Sequence, residues 1–480
     1  MAYDSLRKFI TRLESANELI RVNKPLSSNL ELTEVCDRVC KGLSGNKALL
    51  FENVDAGQFP VLMNAFGSKQ RMAWALGVDD VEEIAGRIRE MINTVPPEGL
   101  IAKAKTFFKL YEISRYPPRL VKSGPVKEVI DKDPDLTKLP ILKCWPEDGG
   151  RFITLPCVFT SDTEGRRNVG MYRMQVYDAK TTGMHWHLHK GGRGHYLEYK
   201  EAGKRMDVAA SLGGDPAITY AATAPLPQGL DEMLFAGFIR ERAVDLVKCE
   251  TVDLEVPADA EFVLEGYVDP GEVRREGPFG DHTGFYSLED DYPVFHLTCV
   301  TRRRDAIYPA TIVGKPPMED CYMGKATERI FLPLIQLQLP ELLDINLPLE
   351  GVFHNLCFVK IEKTYPGQAR KVMHALWGMG QMMFTKLIAV FDEDVDIQDL
   401  SEVLWRLGNN ISAERDLEIV RGPLDALDHA SPTPNYGAKL GIDATVKLPE
   451  EGHARIWPEA ITMSPDVKRR IDEIWGELGI

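Results

Sequence analysis

The stretch from residue 168 to residue 192, NVGMYRMQVYDAKTTGMHWHLHKGG, concentrates side chains that bind ligands or carry protons. An ordinary β-hairpin would fill such positions with Val, Ile and Thr. We therefore expect a site here, on two strands, 168–178 and one starting at Met184, joined by a turn that ends at Gly183. The residues suited to ligand binding are Asn168, Arg173, His185, His187, His189 and Lys190.

Strand alternation would place the three histidines of the return strand on one face and Trp186 on the other. Three imidazoles with an open fourth position are a ligand set for catalytic zinc. A zinc-dependent hydrolase built on His185, His187 and His189 is therefore one candidate function. A polar, partly buried strand face without any metal fits the same pattern.

A second stretch, EGPFGDHTGFY at 276–286, holds Glu276 and Asp281, and Pro278 and Gly280 predict a turn between them. Two carboxylates near one arginine acquire different proton affinities, which is how acid–base pairs are built. Read alone, the stretch is more typical of an acidic surface loop with Gly and Pro than of a catalytic group. The chain has no G-x-G-x-x-G after a strand, no Walker-type phosphate loop, no G-x-S-x-G and no H-E-x-x-H. A nucleotide phosphate would therefore have to be held in another way.

Several short motifs occur in one order along the chain and together carry a family resemblance. They are NVGMYR, MHWHLHKGG, LDEMLFAG, EGPFGDHTGFY and FTKLIAVFD. In this order they resemble the UbiD family of decarboxylases, whose members use prenylated flavin mononucleotide (prFMN). The resemblance implies that Arg173, Glu276 and Asp281 form the catalytic group. The pairing of Asp281 with His282 looks most similar to the quinone-pathway and hydroxyarene members, and it suggests His282 as a further substrate contact.

The resemblance also implies a cofactor and metal site. It implies manganese held by Asn168, His189 and Glu232 around the flavin phosphate, together with a potassium ion, and such oxygen-rich ligands suit a hard divalent ion. Lys190 and His185 stand where some relatives have arginine, and lysine lacks the bidentate fork of arginine. The implied cofactor contacts are Met171, Tyr172, Arg173, His185, Trp186, His187, Lys190, Gly191 and Lys386.

The function that the resemblance implies is the reversible, non-oxidative decarboxylation of an aromatic or α,β-unsaturated carboxylic acid. A flavin prenyltransferase would supply the cofactor, and the chain would form a homodimer or homohexamer. A flavin-binding protein without catalysis is a further alternative, but a binding module needs no proton donor such as Glu276 or Asp281. The motifs do not fix which acid is the substrate.

The composition of the chain restricts the classes of protein to which it can belong. A chain of 480 residues, 44% hydrophobic and 27% charged, is typical of a globular protein with several domains. The net charge of −15 argues against general nucleic-acid binding. We find no apolar run of the roughly 18 residues that a membrane span needs. The eight cysteines form no C-x-x-C pair and the N-terminus lacks a signal-peptide core, so we expect a cytoplasmic location.

We expect an α+β multi-domain fold. The predicted parts are an N-terminal α/β domain at 1–115, a central domain at 116–320 that binds cofactor and metal, and a C-terminal α/β oligomerisation domain at 321–480 with a terminal helix. The many strands of the central domain suggest a barrel or sandwich. The resemblance implies that it is a flavin-reductase-like split β-barrel.

The hydrophobic patterns also predict individual elements. We expect helices at 100–111, at 228–240 as the one helix inside the central barrel, and at 325–337 with a bend or break at Pro333. Short strands are predicted at Leu19–Val22, Leu356–Ile361 and Leu387–Phe391.

Overall fold

The computed structural model describes residues 3–42, 45–55, 58–93, 116–187, 191–227 and 229–479. The predicted helix at 100–111, the predicted helix start at residue 228, and both His189 and Lys190 lie outside these residues.

The N-terminal and central elements alternate short strands with amphipathic helices. In the first helix, residues spaced like Leu6, Phe9, Ile10 and Leu13 bury one face. The elements are α1 (Leu6–Ser15), β1 (Leu19–Val22), α2 (Glu31–Lys41), β2 (Ala48–Phe51), β3 (Val61–Met63), α3 (Lys69–Ala75), α4 (Glu82–Asn93), β4 (Arg119–Leu120), β5 (Val129–Asp131), β6 (Arg151–Ile153), β7 (Cys157–Ser161), β8 (Arg167–Met171), β9 (Met174–Val176), β10 (Thr181–Gly183), α5 (Gly191–Glu201), β11 (Met206–Leu212), α6 (Pro216–Ala221), α7 (Glu232–Arg240), β12 (Asp245–Lys248), β13 (Glu255–Pro257), β14 (Phe262–Glu276), β15 (Asp290–Arg302) and β16 (Tyr308–Pro309).

The central sheet is strongly curled and positions the predicted site. It runs in the order β6-β9-β10-β15-β14-β11-β7-β8, with β5 along β15. The N-terminal sheet runs β1-β2-β3-β16, and its last strand, β16, follows the strands of the central sheet in sequence. The N-terminal region and the central sheet share one hydrophobic core. This architecture confirms the α+β multi-domain fold with a curled central sheet.

The predicted hairpin at 168–189 is wrong in its details. The first strand is interrupted at Tyr172 and Arg173, because β8 pairs with β7 at one end of the curled sheet while β9 pairs with β6 and β10 near the other. The return strand β10 ends at Gly183, so His185 and His187 follow it in irregular backbone. His185 and His187 therefore do not share one face of a strand, and the predicted third member of that face, His189, lies outside the described residues.

The prediction of a single helix inside the barrel is also wrong. Helices α5 and α6 interrupt the strands as well, and α7 begins at Glu232 rather than at residue 228. The glycines at the start of α5 disfavour a helix, but its Tyr196 packs on Trp186 with ring centroids 5.8 Å apart. Asp231 caps α7 by accepting the Met233 N–H at 2.8 Å.

The C-terminal elements form a second α/β layer. They are α8 (Glu319–Gln338), β17 (Leu342–Asn346), β18 (Leu356–Ile361), α9 (Gln368–Trp377), β19 (Leu387–Phe391), α10 (Leu400–Asn410), α11 (Ala413–Asp416), β20 (Leu417–Pro423), β21 (Tyr436–Asp443) and α12 (Pro465–Ile474). The sheet order is β17-β18-β19-β21-β20. Helix α8 continues past Pro333, so the predicted break is absent there. Terminal helix α12 buries none of its residues. Across the described ranges, every helix is too short or too polar to traverse a bilayer.

Candidate active site

Arg173 lies in the break between β8 and β9 and connects the two predicted acidic residues. Its Nε donates to Glu276 Oε1 at 2.9 Å, and its Nη1 donates to Asp281 Oδ2. Its Nη2 donates to the Ser287 hydroxyl at 3.2 Å, and its guanidinium lies 4.6 Å from the centroid of the Phe279 ring. The side chains of Arg173 and Glu276 are only 9% and 0% exposed. The fold thus brings together three predicted residues that are up to 108 positions apart in sequence.

The electrostatics of this group favour ionised carboxylates. Burial alone would raise the pKa of Glu276, but hydrogen bonds and charge from His185 and Arg173 outweigh it and lower that pKa to about 2. Burial likewise opposes ionisation of Asp281, yet the charges of Arg173 and His282 hold its pKa well below the usual range. Burial and the charge of Arg173 lower the pKa of His185, the ring beside Glu276, whereas the pKa of His282, the ring beside Asp281, is raised. Asp281 is therefore the harder of the two carboxylates to protonate.

A tight loop between β14 and β15 carries Asp281. Gly284, with φ +81°, donates its N–H to the Asp281 carbonyl at 2.9 Å. Gly280 packs so close to Trp145 that an added Cβ would lie 2.2 Å from the ring carbon Cδ1. Asp148, which is buried, accepts the backbone N–H groups of Gly280 and Trp145 at 2.8 Å each, and that of Cys144 at 3.1 Å. The proline-rich segment at 116–150 thereby braces this loop, which we call the catalytic loop because it carries the predicted catalytic residue Asp281.

The bracing role of Asp148 leads to a prediction about stability. Asp148→Ala leaves three backbone N–H groups without their acceptor, and each buried unsatisfied donor costs about 1–3 kcal/mol. We expect the free energy of unfolding, measured by urea denaturation, to fall by about 3 kcal/mol or more. The control Asp133→Ala, at an exposed position of the same segment, should change it by less than about 0.5 kcal/mol. Equal effects of the two substitutions would contradict the bracing role.

Two chains of hydrogen-bonded rings leave the carboxylates. Glu276 Oε2 lies 2.8 Å from His185 Nδ1, and His185 Nε2 lies 2.9 Å from His187 Nε2. In the second chain, Asp281 Oδ1 lies 2.9 Å from His282 Nδ1, and His282 Nε2 lies 2.8 Å from His354 Nε2. Within the described part of the chain, no third metal-binding side chain joins the His185–His187 pair, which gives no support to the zinc hydrolase.

Two buried polar groups without partners lie against the first glycines of α5. The side-chain nitrogens Asn168 Nδ2 and Trp186 Nε1 have no hydrogen-bond partner among the described residues. Glu232 Oε2 accepts the Val169 N–H at 2.8 Å, and burial raises the pKa of Glu232 to about 7. An added Cβ at Gly191 would lie 1.9 Å from Asn168 Oδ1, so a larger residue there would displace the Asn168 amide. The unpaired N–H donors fit an oxyanion. The buried carboxylate fits a cation that would bind beside that oxyanion.

The remaining predicted cofactor contacts lie partly on the central sheet and partly in the C-terminal region. Tyr172 is buried, and its hydroxyl accepts the Gly192 N–H at 3.4 Å. Met171 packs against the core shared with the N-terminal region. Lys386 lies on the C-terminal side, donates to Asp428 Oδ1 at 2.8 Å, and lines an open cleft that Phe285 of the catalytic loop also lines.

Sequence reasoning missed four residues that shape the site: Phe279, Ser287, Asp148 and His354. Phe279 lies inside the acidic motif and Ser287 directly follows it, so a wider reading of that motif would have included both. Asp148 and His354 come from distant segments that carry no local signal. Only the fold places them against the catalytic loop.

Comparison with known families covers most of the chain. The models of the 3-octaprenyl-4-hydroxybenzoate carboxy-lyase N-terminal, Rift-related and C-terminal domains match residues 10–88, 119–316 and 321–444. An uncharacterized protein of Aquifex aeolicus is 53% identical over 481 positions, which cover 100% of this chain and 99% of that protein.

Solved structures agree with these matches. Vanillic acid decarboxylase of Sedimentibacter hydroxybenzoicus in its closed form is 27% identical, with a TM-score of 0.85 over 100% of this chain and 99% of that one. The UbiD-class enzyme HmfF of Pelotomaculum thermopropionicum in complex with FMN is 29% identical, with a TM-score of 0.81 over 97% and 98% of the two chains. An evolved dimeric form of HmfF in complex with prFMN is 28% identical, with a TM-score of 0.79 over the same shares. The chain therefore belongs to the UbiD family and is a carboxy-lyase that acts as a decarboxylase.

Proposed function

We propose that this protein is a prFMN-dependent decarboxylase that removes the carboxylate of an aromatic or α,β-unsaturated acid, reversibly and without oxidation. The observation that carries the proposal is the buried guanidinium of Arg173 between Glu276 and Asp281. The FMN and prFMN complexes of HmfF support the flavin. Loss of CO₂ from such an acid leaves charge on carbon that no ordinary side chain stabilises, and the flavin would supply the electron sink.

The polar groups around Asn168 and Glu232 would hold the flavin and its metal. We assign Mn²⁺, or another hard divalent ion, to Asn168, Glu232 and His189, and we include a potassium ion in the same site. The buried carboxylate of Glu232 supports the cation, and the unpaired Nδ2 of Asn168 is a donor suited to an oxyanion such as the flavin phosphate. Further proposed flavin contacts are Met171, Tyr172, Arg173, His185, Trp186, His187, Lys190, Gly191 and Lys386.

The two carboxylates, Glu276 and Asp281, would have different roles because their partners differ. Arg173 orients the substrate carboxylate, and the arriving anion competes with Glu276 for the guanidinium, which raises the pKa of Glu276. Asp281 keeps its cationic partner His282 and remains ionised, whereas His185, the ring beside Glu276, has a lowered pKa and is the weaker cation. Glu276 is therefore the group that delivers the proton to the carbon that lost CO₂. This step breaks one C–C bond, forms one C–H bond and consumes one proton.

Isotope exchange tests the reversible reaction. The protein is co-expressed with a flavin prenyltransferase and incubated with hydroxylated benzoic acids and ¹³C-bicarbonate. We expect ¹³C in the carboxyl group of at least one acid, and no label with protein expressed without the prenyltransferase. Bound prFMN without label transfer into any acid would favour a flavin-binding protein without catalysis.

Removal of one proposed metal ligand should release the flavin. In Asn168→Ala the amide that would bind the cation is lost, so we expect metal and flavin to leave together during desalting. Flavin absorbance and metal content after gel filtration measure this loss, which we expect to exceed about tenfold because single ligand-shell changes cost 10–100-fold in metal affinity. The control Asn409→Ala, at an exposed helix position, should retain both. Retention of flavin colour in Asn168→Ala would argue against a cation at Asn168 that helps to hold the flavin.

We further propose that the chain forms a homodimer or homohexamer through its C-terminal region. The exposed Val467 and Trp475 at the terminal helix support this assembly, because apolar side chains without cover favour association. Light scattering on wild type and on a chain ending at residue 454 should show the assembly only for the wild type.

A further inference from the structure

The hydrogen bond between His282 and His354 joins the catalytic loop to the C-terminal region. His282 lies directly after Asp281, and both its backbone N–H and its Nδ1 contact Asp281 Oδ1, at 2.8 and 2.9 Å. Its other ring nitrogen, Nε2, lies 2.8 Å from Nε2 of His354, which precedes β18. The ring of His282 is thus held at both nitrogens, by residues from two regions of the fold.

The backbone that presents His354 is unusual. Val352 and Phe353 have φ values of +45° and +54°, a left-handed conformation that β-branched and bulky residues rarely adopt. The Phe353 ring stacks on His282 with centroids 5.0 Å apart. Gly324 of α8 gives it room, since an added Cβ there would lie 2.5 Å from the Phe353 Cβ. Strained backbone that the surroundings enforce is common where a side chain must be placed for function.

The charges around the two rings define donor and acceptor. His282 faces Asp281 on its own loop, Asp320 at the start of α8, and Asp425 in the C-terminal region; burial lowers its pKa, but these carboxylates outweigh burial and raise it. Burial and the charge of His282 lower the pKa of His354 to about 4. His282 is therefore the charged donor, and neutral His354 accepts through Nε2.

We propose that His354 is a positioning residue for Asp281. It accepts a hydrogen bond from His282 and so fixes the imidazole whose Nδ1–H holds Asp281 beside Arg173. Docking of the C-terminal region then becomes a condition for the correct ionisation of the acid–base group. The inference rests on the proposed function only where it counts Asp281 among the catalytic residues.

Histidine NMR on the full chain tests this inference without substrate or flavin. With ¹³C-labelled histidine the chain gives ten ring signals, and His282→Gln identifies that of His282. In His354→Leu the protonated His282 ring loses the buried acceptor of its Nε2–H, so the pKa of His282 should fall by about one unit. In His354→Gln the amide oxygen can accept in place of Nε2, so the pKa should stay within about 0.3 of wild type. The surface control His374→Leu should leave it unchanged.

A His282 pKa that is the same in His354→Leu and wild type would overturn the proposal, as would an equal fall in the Leu and Gln variants. Should His354→Leu fail to fold, His354→Asn replaces it: its shorter amide cannot reach His282, so the same fall is expected. In the flavin-loaded enzyme, a less charged His282 would raise the pKa of Asp281, so the acid limb of the kcat–pH profile should move to higher pH in His354→Leu. In His354→Gln the acid limb should lie at the wild-type pH. A protein that releases no CO₂ would refute the proposed function but leave the NMR result readable.

Discussion

Glu276→Gln is expected to lower kcat by about 10²–10⁴-fold, because general acid catalysis contributes about that much. Glutamine matches the shape of Glu276 but cannot donate the proton that replaces CO₂. Binding should change little, because Arg173 keeps its contact with Asp281. Steady-state CO₂ release by flavin-loaded enzyme measures the effect, and thermal melting confirms that the variant is folded.

The matched control for this variant is Glu272→Gln. Glu272 lies on the same strand, β14, but its side chain is 46% exposed and pairs with His296 outside the site. Its substitution should change kcat by less than about twofold. Full activity in Glu276→Gln would remove Glu276 from the role of proton donor, and Asp281→Asn would then become the decisive variant.

Arg173→Met is expected to lower the free energy of unfolding at neutral pH by about 3–5 kcal/mol, because it leaves buried carboxylates without their shared cation. It should also abolish turnover, since the substrate carboxylate loses its partner. Urea denaturation measures the stability loss. The control Arg275→Met removes an exposed guanidinium that is 58% accessible, and it should cost less than about 1 kcal/mol.

The stability gap between wild type and Arg173→Met should depend on pH. In wild type the pKa of Glu276 is about 2, below its unfolded value of 4.5, so its stabilisation is present above pH 4.5 and is lost as the pH falls towards 2. In the variant, burial without the guanidinium raises the pKa values of Glu276 and Asp281. The variant therefore loses stability as the pH rises through those raised values, and the gap should be wider at pH 8 than at pH 4. A gap independent of pH would contradict the assigned charges.

Short apolar strands were predictable from the sequence with little error. Strands Leu19–Val22, Leu356–Ile361 and Leu387–Phe391 have the predicted bounds, because each is a compact apolar run between polar or turn-forming residues. The acid–base group was predicted from the order of the motifs and the family resemblance they carry. The fold does place Arg173 against Glu276 and Asp281.

Features set by long-range pairing could not be predicted. The interruption at Tyr172 and Arg173 arises because consecutive strands join opposite parts of one curled sheet, which no local pattern encodes. Helix α5 forms against its own propensity through the packing of Tyr196. The contact of His354 with His282 spans 72 positions and depends on how the C-terminal region docks.

The most direct measurement of the central claim is CO₂ release by protein co-expressed with a flavin prenyltransferase. Substrates are benzoic, hydroxybenzoic, naphthoic, heteroaromatic and cinnamic acids, and Glu276→Gln and flavin-free protein serve as controls. We predict the decarboxylated product and an equal amount of CO₂ from at least one acid with prFMN-loaded wild type, about 10²–10⁴-fold slower release with Glu276→Gln, and no release without flavin. Turnover that persists without flavin, or a prFMN-loaded wild type that releases no CO₂ from any of these acids, would contradict it.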